Sequence, residues 1–251
     1  MAQIDFEEMI LDFPVYSAAN HRSLKRELVR VATGGLIKRN PKDMFEIRAL
    51  DGLSLTIEHG VRLGLIGHNG AGKSTLLRMI TGIYTPTTGS LQVDGKVTAL
   101  LDVMFAMYED LTGYENIKLR GTLHGLPSKE VKEKEELIVK NSGLGDYIHM
   151  PLRTYSTGMK VRLAFSINTC IQPQILIMDE LVGAGDESFK EEAKEKLDSL
   201  ISSSEIFIIA SHNTDWIKDN CNKVLWLDAG KAKFYGDVEE GIDRYKQFCH
   251  S

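Results

Sequence analysis

The sequence predicts an α/β fold, and three observations carry that prediction. Strand-like runs alternate with helical ones along the chain. Three short apolar runs end abruptly in residues that carry chemistry: Val61–Ile66 enters a glycine-rich turn, Ile175–Met178 ends on Asp179 and Glu180, and Ile206–Ala210 ends on Ser211 and His212. Such runs read as buried parallel strands, whose carboxyl edge is where ligands bind. The length of 251 residues, 43% of them hydrophobic and 26% charged, suits one large core, so residues 1–251 are taken as a single domain.

The elements follow in order. After a first strand near Ile4, Ser23–Ala32 has the spacing of an amphipathic helix, with Leu24, Leu28 and Val31 on one face. Arg22, Lys25, Arg26 and Arg30 make the rest of it basic, and Gly34 and Gly35 close it. It forms an insertion, roughly 17–40, ahead of the strand run Ala49–Ile57. Ser128 is read as the cap of a helix to about Ser142, with Glu130 near its positive end and Gly143 past its other end. Phe189, Ala193, Leu197, Leu200 and Ile201 recur at helical spacing as a core face. Val224–Leu227 and Lys233–Tyr235 form a terminal strand pair around Gly230.

Charge and cysteines narrow the setting. A net charge of −5 argues against a nucleic-acid partner. Cys170, Cys221 and Cys249 have no paired or metal-type spacing, which fits free thiols in a reducing compartment. Charges interrupt every hydrophobic stretch, and the N-terminus is acidic, unlike a signal peptide. The expectation is a cytoplasmic protein that meets any membrane through a partner.

Gly67-His68-Asn69-Gly70-Ala71-Gly72-Lys73-Ser74-Thr75 fits G-x-x-x-x-G-K-[ST], follows a strand and opens a helical run. Glycines let the backbone curl so that successive N–H groups face phosphate oxygens, and the helix N-terminus adds partial positive charge. Gly67, Asn69, Gly70, Ala71, Gly72 and Thr75 thus form a phosphate cradle. Lys73 reaches the β- and γ-phosphates, and the Ser74 hydroxyl is a magnesium ligand. By itself the loop leaves the kind of NTPase open.

Four further stretches lie downstream in a telling order: Tyr155–Lys160 (YSTGMK), Asp179-Glu180, Leu181–Asp186 (LVGAGD) and His212. With the loop, they resemble the ATPases of the ABC family. The resemblance implies an ABC-type P-loop nucleotide-binding domain with a mainly parallel core sheet, an antiparallel β subdomain and a helical signature subdomain, here roughly 103–170. It implies that Ser156 and Gly158 touch the γ-phosphate held by a second copy, so that a homodimer encloses two ATP molecules. Thr157, Met159 and Lys160 depart from the usual signature. Asp179 is implied as a ligand of Mg2+, Glu180 as the general base, His212 as the γ-phosphate switch and Asp186 as the link between the two sites. An N-terminal aromatic stacks on adenine in the family: Tyr16 is the choice, with Phe13 as its rival. The family's glutamine near magnesium falls at Val103, where none occurs, and Asp102 is the candidate substitute.

The resemblance narrows further. The insertion FPVYSAANHRSLKRELVRVATGG, the missing glutamine, Leu111–Asn116 (LTGYEN) and Gly185–Phe189 (GDESF) are similar to the ATP-binding subunits of polysaccharide exporters for O-antigen, capsule or teichoic acid. This implies a polytopic transmembrane exporter subunit as partner, a lipid-linked glycan as cargo, and a peripheral place on the cytoplasmic face of the bacterial inner membrane. It also implies a substrate-entry role for the basic helix. The alternative expectation is an ATPase subunit serving a transporter of a different substrate.

Overall fold

A computed structural model describes residues 1–15, 37–39, 45–101, 104, 106–179 and 187–249. The basic helix expected at Ser23–Ala32 lies outside the described residues, as do Tyr16, Asp102, Val103, Glu180 and Asp186. The chain forms two compact units, one of residues 1–95 and 208–251 and one of residues 96–207.

In the first unit an antiparallel sheet has the order β2-β3-β1-β5, from β1 (Gln3–Val15), β2 (Ile37–Arg39), β3 (Phe45–Ile57) and β5 (Thr88–Asp94). Alternation along β1 buries Ile4 and Phe6, then slips, so that Met9 and Leu11 carry the buried face onward. The slip is a bulge at Glu8, whose φ is +44° and whose N–H donates to the Ser54 hydroxyl at 2.8 Å. Gly89 on β5 faces that bulge; a Cβ there would lie 2.3 Å from the Glu8 carbonyl oxygen.

The same unit holds β4 (Arg62–Ile66), which pairs in parallel with β9 (Lys223–Asp228). The next strand, β10 (Lys231–Asp237), returns antiparallel to β9 through a two-residue turn, Ala229-Gly230, with both φ values positive. Positive φ at both positions matches the twist of a tight hairpin. Leu63, Leu65 and Ile66 of β4 are buried. The absent side chain of Gly64 admits Ile217 of the helix Thr214–Asn220, since a Cβ would meet it at 2.4 Å.

In the second unit β6 (Val97–Leu100) and β7 (Ile175–Asp179) pair in parallel. Strand β8 (Ile206–Ala210) then carries the chain back to the first unit. Numbering helices in chain order, α1 is Lys73–Ile80, α2 Gly113–Leu123, α3 Ser128–Ser142, α4 Thr157–Thr169, α5 Glu187–Ser203, α6 Thr214–Asn220 and α7 Val238–Cys249. Helices α2, α3 and α4 close on Ile117, Val131, Ile138, Leu163 and Ile167. The predicted face of α5 is buried at Phe189, Ala193, Leu197, Leu200 and Ile201. Phe189 stacks edge-on against Phe165 of α4.

One cap moves. Helix α3 begins at Ser128 as expected, but Pro127 holds the cap position and Ser128 makes no capping bond. The Pro127 carbonyl accepts from Val131 N–H at 3.1 Å, and its extended backbone leaves Ser128 already helical. Gly143 closes the other end in the left-handed conformation, as its place in the sequence indicated.

Candidate nucleotide site

The phosphate cradle is built wholly within the first unit, where β4 ends and α1 begins. Its glycines are there by necessity. Gly67, Gly70 and Gly72 have φ of +145°, +83° and +108°, a region that costs an L-residue about 1–2 kcal/mol. At Gly67 a Cβ would also lie 2.2 Å from the Leu227 carbonyl oxygen, and at Gly72 2.9 Å from that of Ala49. Around Gly70 nothing lies within 4 Å, so only its backbone conformation demands glycine. The loop closes on itself through Ala71 N–H to the His68 carbonyl at 3.1 Å.

Lys73 sits at the first position of α1 and is 9% exposed. Its ammonium donates to the Gly67 carbonyl at 2.6 Å and to the His68 carbonyl at 3.2 Å. The cation therefore lies inside the curl of the loop. The N-cap Gly72 supplies no side chain to α1, and the first turn holds no acid, so the positive helix end is not neutralised locally. Ser74 and Thr75, half-buried on this turn, present hydroxyls beside it.

Gly230 braces the cradle from the β9–β10 turn. Its N–H donates to the Ala71 carbonyl at 3.0 Å, and its own carbonyl accepts from Asp51 N–H at 2.9 Å. A Cβ on Gly230 would sit 2.7 Å from the Ala49 carbonyl oxygen. Asp51 is itself held, because the Arg48 guanidinium spans Asp12 and Asp51 with bonds of 2.6–2.9 Å. These carboxylates raise the Arg48 pKa, Asp12 most. From the sequence Gly230 reads only as a turn residue. Its bracing role depends on residues far away in the chain.

His212 stands in the tight link between β8 and α6. Buried Ser211 accepts from Asn213 N–H at 3.1 Å, and Asn213 caps α6 by accepting from Trp216 N–H at 3.0 Å. These two bonds fix the link on either side of His212 and leave its ring exposed. Phe13, the rival for adenine stacking, is half-buried and packs edge-on against Tyr84, with ring centroids 5.1 Å apart.

Asp179, Ser156 and Gly158 lie in the second unit. Asp179 ends β7, half-exposed behind four buried residues. Ser156 caps α4, its hydroxyl accepting from Met159 N–H at 3.2 Å. Gly158, two residues on, has open space in front of it: a Cβ there would meet only the Ser156 hydroxyl, at 3.9 Å. Ser156 and Thr157 are exposed, and the first turn of α4 contains no acid. This helix end is presented outward with its positive pole uncompensated within the turn.

Ahead of α4 lies a braced loop whose parts the sequence reading named only as the run LTGYEN. Thr112 and Glu115 form a reciprocal capping box on α2. The two Thr112 bonds lower the Glu115 pKa. Asn116 is fully buried, donates to the carbonyls of Tyr108, Leu111 and Thr112, and accepts from Tyr108 N–H at 2.8 Å. The T-x-x-E spacing was a legible signal for the capping box. Nothing in the sequence marked Asn116 as the tie for residues 108–112.

The family profile described as ABC transporter matches residues 50–183. The chain is 40% identical to the O-antigen export system ATP-binding protein RfbE of Yersinia enterocolitica, across 92% of this chain and 96% of that protein. It is 38% identical to the teichoic acids export ATP-binding protein TagH of Staphylococcus haemolyticus, across 85% of this chain and 80% of that one. Among solved structures, a dimeric post-hydrolysis ATP-binding cassette bound to ADP and Pi superposes with a TM-score of 0.65 at 16% identity, covering 94% of this chain and 98% of that one. At that identity the likeness concerns the fold.

Proposed function

The chain belongs to the ABC transporter family, and from that premise we propose that it is the ATP-hydrolysing subunit of an exporter for a lipid-linked polysaccharide such as O-antigen or teichoic acid. One observation carries the cargo class: the 40% identity to an O-antigen export ATP-binding protein spans nearly the full length of both chains. Two copies act together, each pairing with a polytopic membrane subunit on the cytoplasmic face of the inner membrane. Among the described residues no helix is long and apolar enough to cross a membrane, so the path for the cargo belongs to that partner.

The chemistry follows from the residues. The amides of Gly67–Thr75 and the positive end of α1 hold the phosphates, and Lys73 exchanges its loop carbonyls for β- and γ-phosphate oxygens. Among the described residues no group of three or more His, Cys, Asp or Glu could hold a metal unaided. A hydroxyl and a single carboxylate suit magnesium, which keeps several waters and takes one or two protein ligands alongside substrate phosphates. Ser74 would supply a hydroxyl and Asp179 a carboxylate to magnesium, which when bound would offset charge developing on the transferred phosphoryl group. Glu180 accepts a proton from the attacking water, and His212 contacts the γ-phosphate. Ser156 and Gly158 complete the site of the second copy, Asp186 links the two sites, and Tyr16 stacks on adenine.

The test is co-purification with the polytopic membrane protein encoded beside it, followed by ATPase assays with lipid-linked glycans. Stimulation by such a glycan, and loss of the surface polysaccharide when the gene is deleted, are the expected results. A complex that ignores glycans and responds to another cargo would leave the ATPase reading intact and remove the polysaccharide.

A further inference from the structure

Lys160 departs from the usual signature sequence, and its surroundings give the departure a use. It lies in the first turn of α4, beside the positive end of the helix dipole, where a cation is unfavourable. With no acid in that turn, its compensation comes from elsewhere: Lys160 Nζ bonds the Glu109 carboxylate at 2.5 Å. Lys160 is only 19% exposed at its side chain, whereas Glu109 is 66% exposed.

Glu109 sits on the loop that Asn116 ties down, and the backbone of this loop grips the segment leading into the signature. Arg153 N–H donates to the Glu109 carbonyl at 2.9 Å, and Leu152 N–H to the Leu111 carbonyl at 3.0 Å. A bridge joins Thr112 to Pro151. A second ion pair, Arg153 to Asp110 at 2.7 Å, is far more exposed on both sides. The loop therefore holds the approach to Ser156 by its backbone and the first turn of α4 by one carboxylate.

We propose that Glu109 is a positioning residue for hydrolysis: through its ion pair with Lys160 it sets the first turn of α4, and with it Ser156 and Gly158, for the nucleotide of the second copy. The pair also keeps the Lys160 ammonium occupied at the loop. Movement of residues 108–112 is then passed to the signature turn through this pair. The proposal rests on the reading that Ser156 and Gly158 contact nucleotide.

Steady-state ATPase of the full chain tests it, with Glu109→Gln, Lys160→Met and the exchange Glu109→Lys/Lys160→Glu measured beside Asp110→Asn and Ser156→Arg. Each single change at the pair should lower kcat about tenfold, the scale of a small misplacement, with KM for ATP within about twofold. Their melting temperatures should stay near that of the unaltered chain, since one partner, Glu109, is exposed and solvent screens the pair. The exchange should recover most of kcat, and Asp110→Asn should change it less than about twofold. Unchanged kcat in the singles, an exchange no better than the singles, or losses that track a fall in melting temperature would each overturn the proposal. Ser156→Arg separates the two levels. If it abolishes turnover while Glu109→Gln is silent, only the positioning role fails; if it is fully active, the signature reading itself fails.

Discussion

Two helix N-termini in this chain look alike in sequence and are built differently. Both α1 and α4 follow a turn, carry glycine near the start and lack acid in the first turn. At α1 the glycines are compelled by positive φ and close backbone neighbours, the loop is braced by Gly230, and a nearly buried lysine fills its centre. At α4 the cap is the chain's own Ser156, the adjoining glycine sits in ordinary helix with open space before it, and the face is exposed. The first is a finished anion cradle. The second stands open and exposed, and the proposed function gives it to the nucleotide of a second copy. Under the proposed function both are needed, because each nucleotide would be held by one copy and capped by the other.

The largest effect should come from the finished cradle. Lys73→Ala removes the cation at its centre and should cut ATP turnover roughly 100- to 1000-fold, the scale of losing one charge-stabilising donor. Fluorescent-nucleotide titration and a phosphate-release assay would check it, and turnover within tenfold of the unaltered chain would contradict it. The cradle's glycines should then sort by their surroundings. Gly67→Ala meets both adverse φ and the Leu227 carbonyl, and should cost about 2–4 kcal/mol of stability together with nucleotide binding. Gly70→Ala meets only the backbone strain, about 1–2 kcal/mol. Equal losses in thermal melts would mean that the Leu227 approach does not matter.

The signature turn should respond in the opposite sense. Gly158 lies inside α4 with room for a methyl group, so Gly158→Ala should gain about 0.5–1 kcal/mol of stability. Its ATPase activity should nevertheless fall, because the added Cβ stands where a phosphate of the second copy must approach. A stabler variant with full activity would remove Gly158 from the contact.

The smallest effect concerns acid. Burial lowers the His124 pKa from 6.5, and the charge of Arg120 lowers it further. A depressed folded value means that the unfolded chain binds the proton more readily. The contribution of neutral His124 is therefore fully present above about pH 6.5 and is lost as pH falls from there through the folded value. His124→Gln should flatten the dependence of melting temperature on pH in that window. An unchanged slope would place the acid sensitivity elsewhere.

How far these differences were legible depends on how local their causes are. The cradle is nine consecutive residues between a strand and a helix, so its chemistry could be read directly, as could β7, β8 and the buried face of α5. The cap of α3 went to Pro127 because a cap is decided by backbone geometry as well as by side-chain type. Gly230 and the Glu109–Lys160 pair escaped because each acts on residues distant in sequence; Asn116 acts on a nearby loop, but a single residue carries no periodic signal. The early insertion has the pattern of an amphipathic basic helix, a reading that falls outside the described residues.

On the proposed function, the outward-facing turn at Ser156 completes a nucleotide site in a second copy. Sedimentation of the Glu180→Gln chain with ATP and magnesium tests it most directly, since blocked hydrolysis should trap the closed pair. A species of twice the 28.1 kDa chain mass is expected when ATP is present, with a return to the single-chain mass when Ser156→Arg is added to the same chain. A pair that persists unchanged with Ser156→Arg, or a chain that stays single with bound ATP, would contradict it.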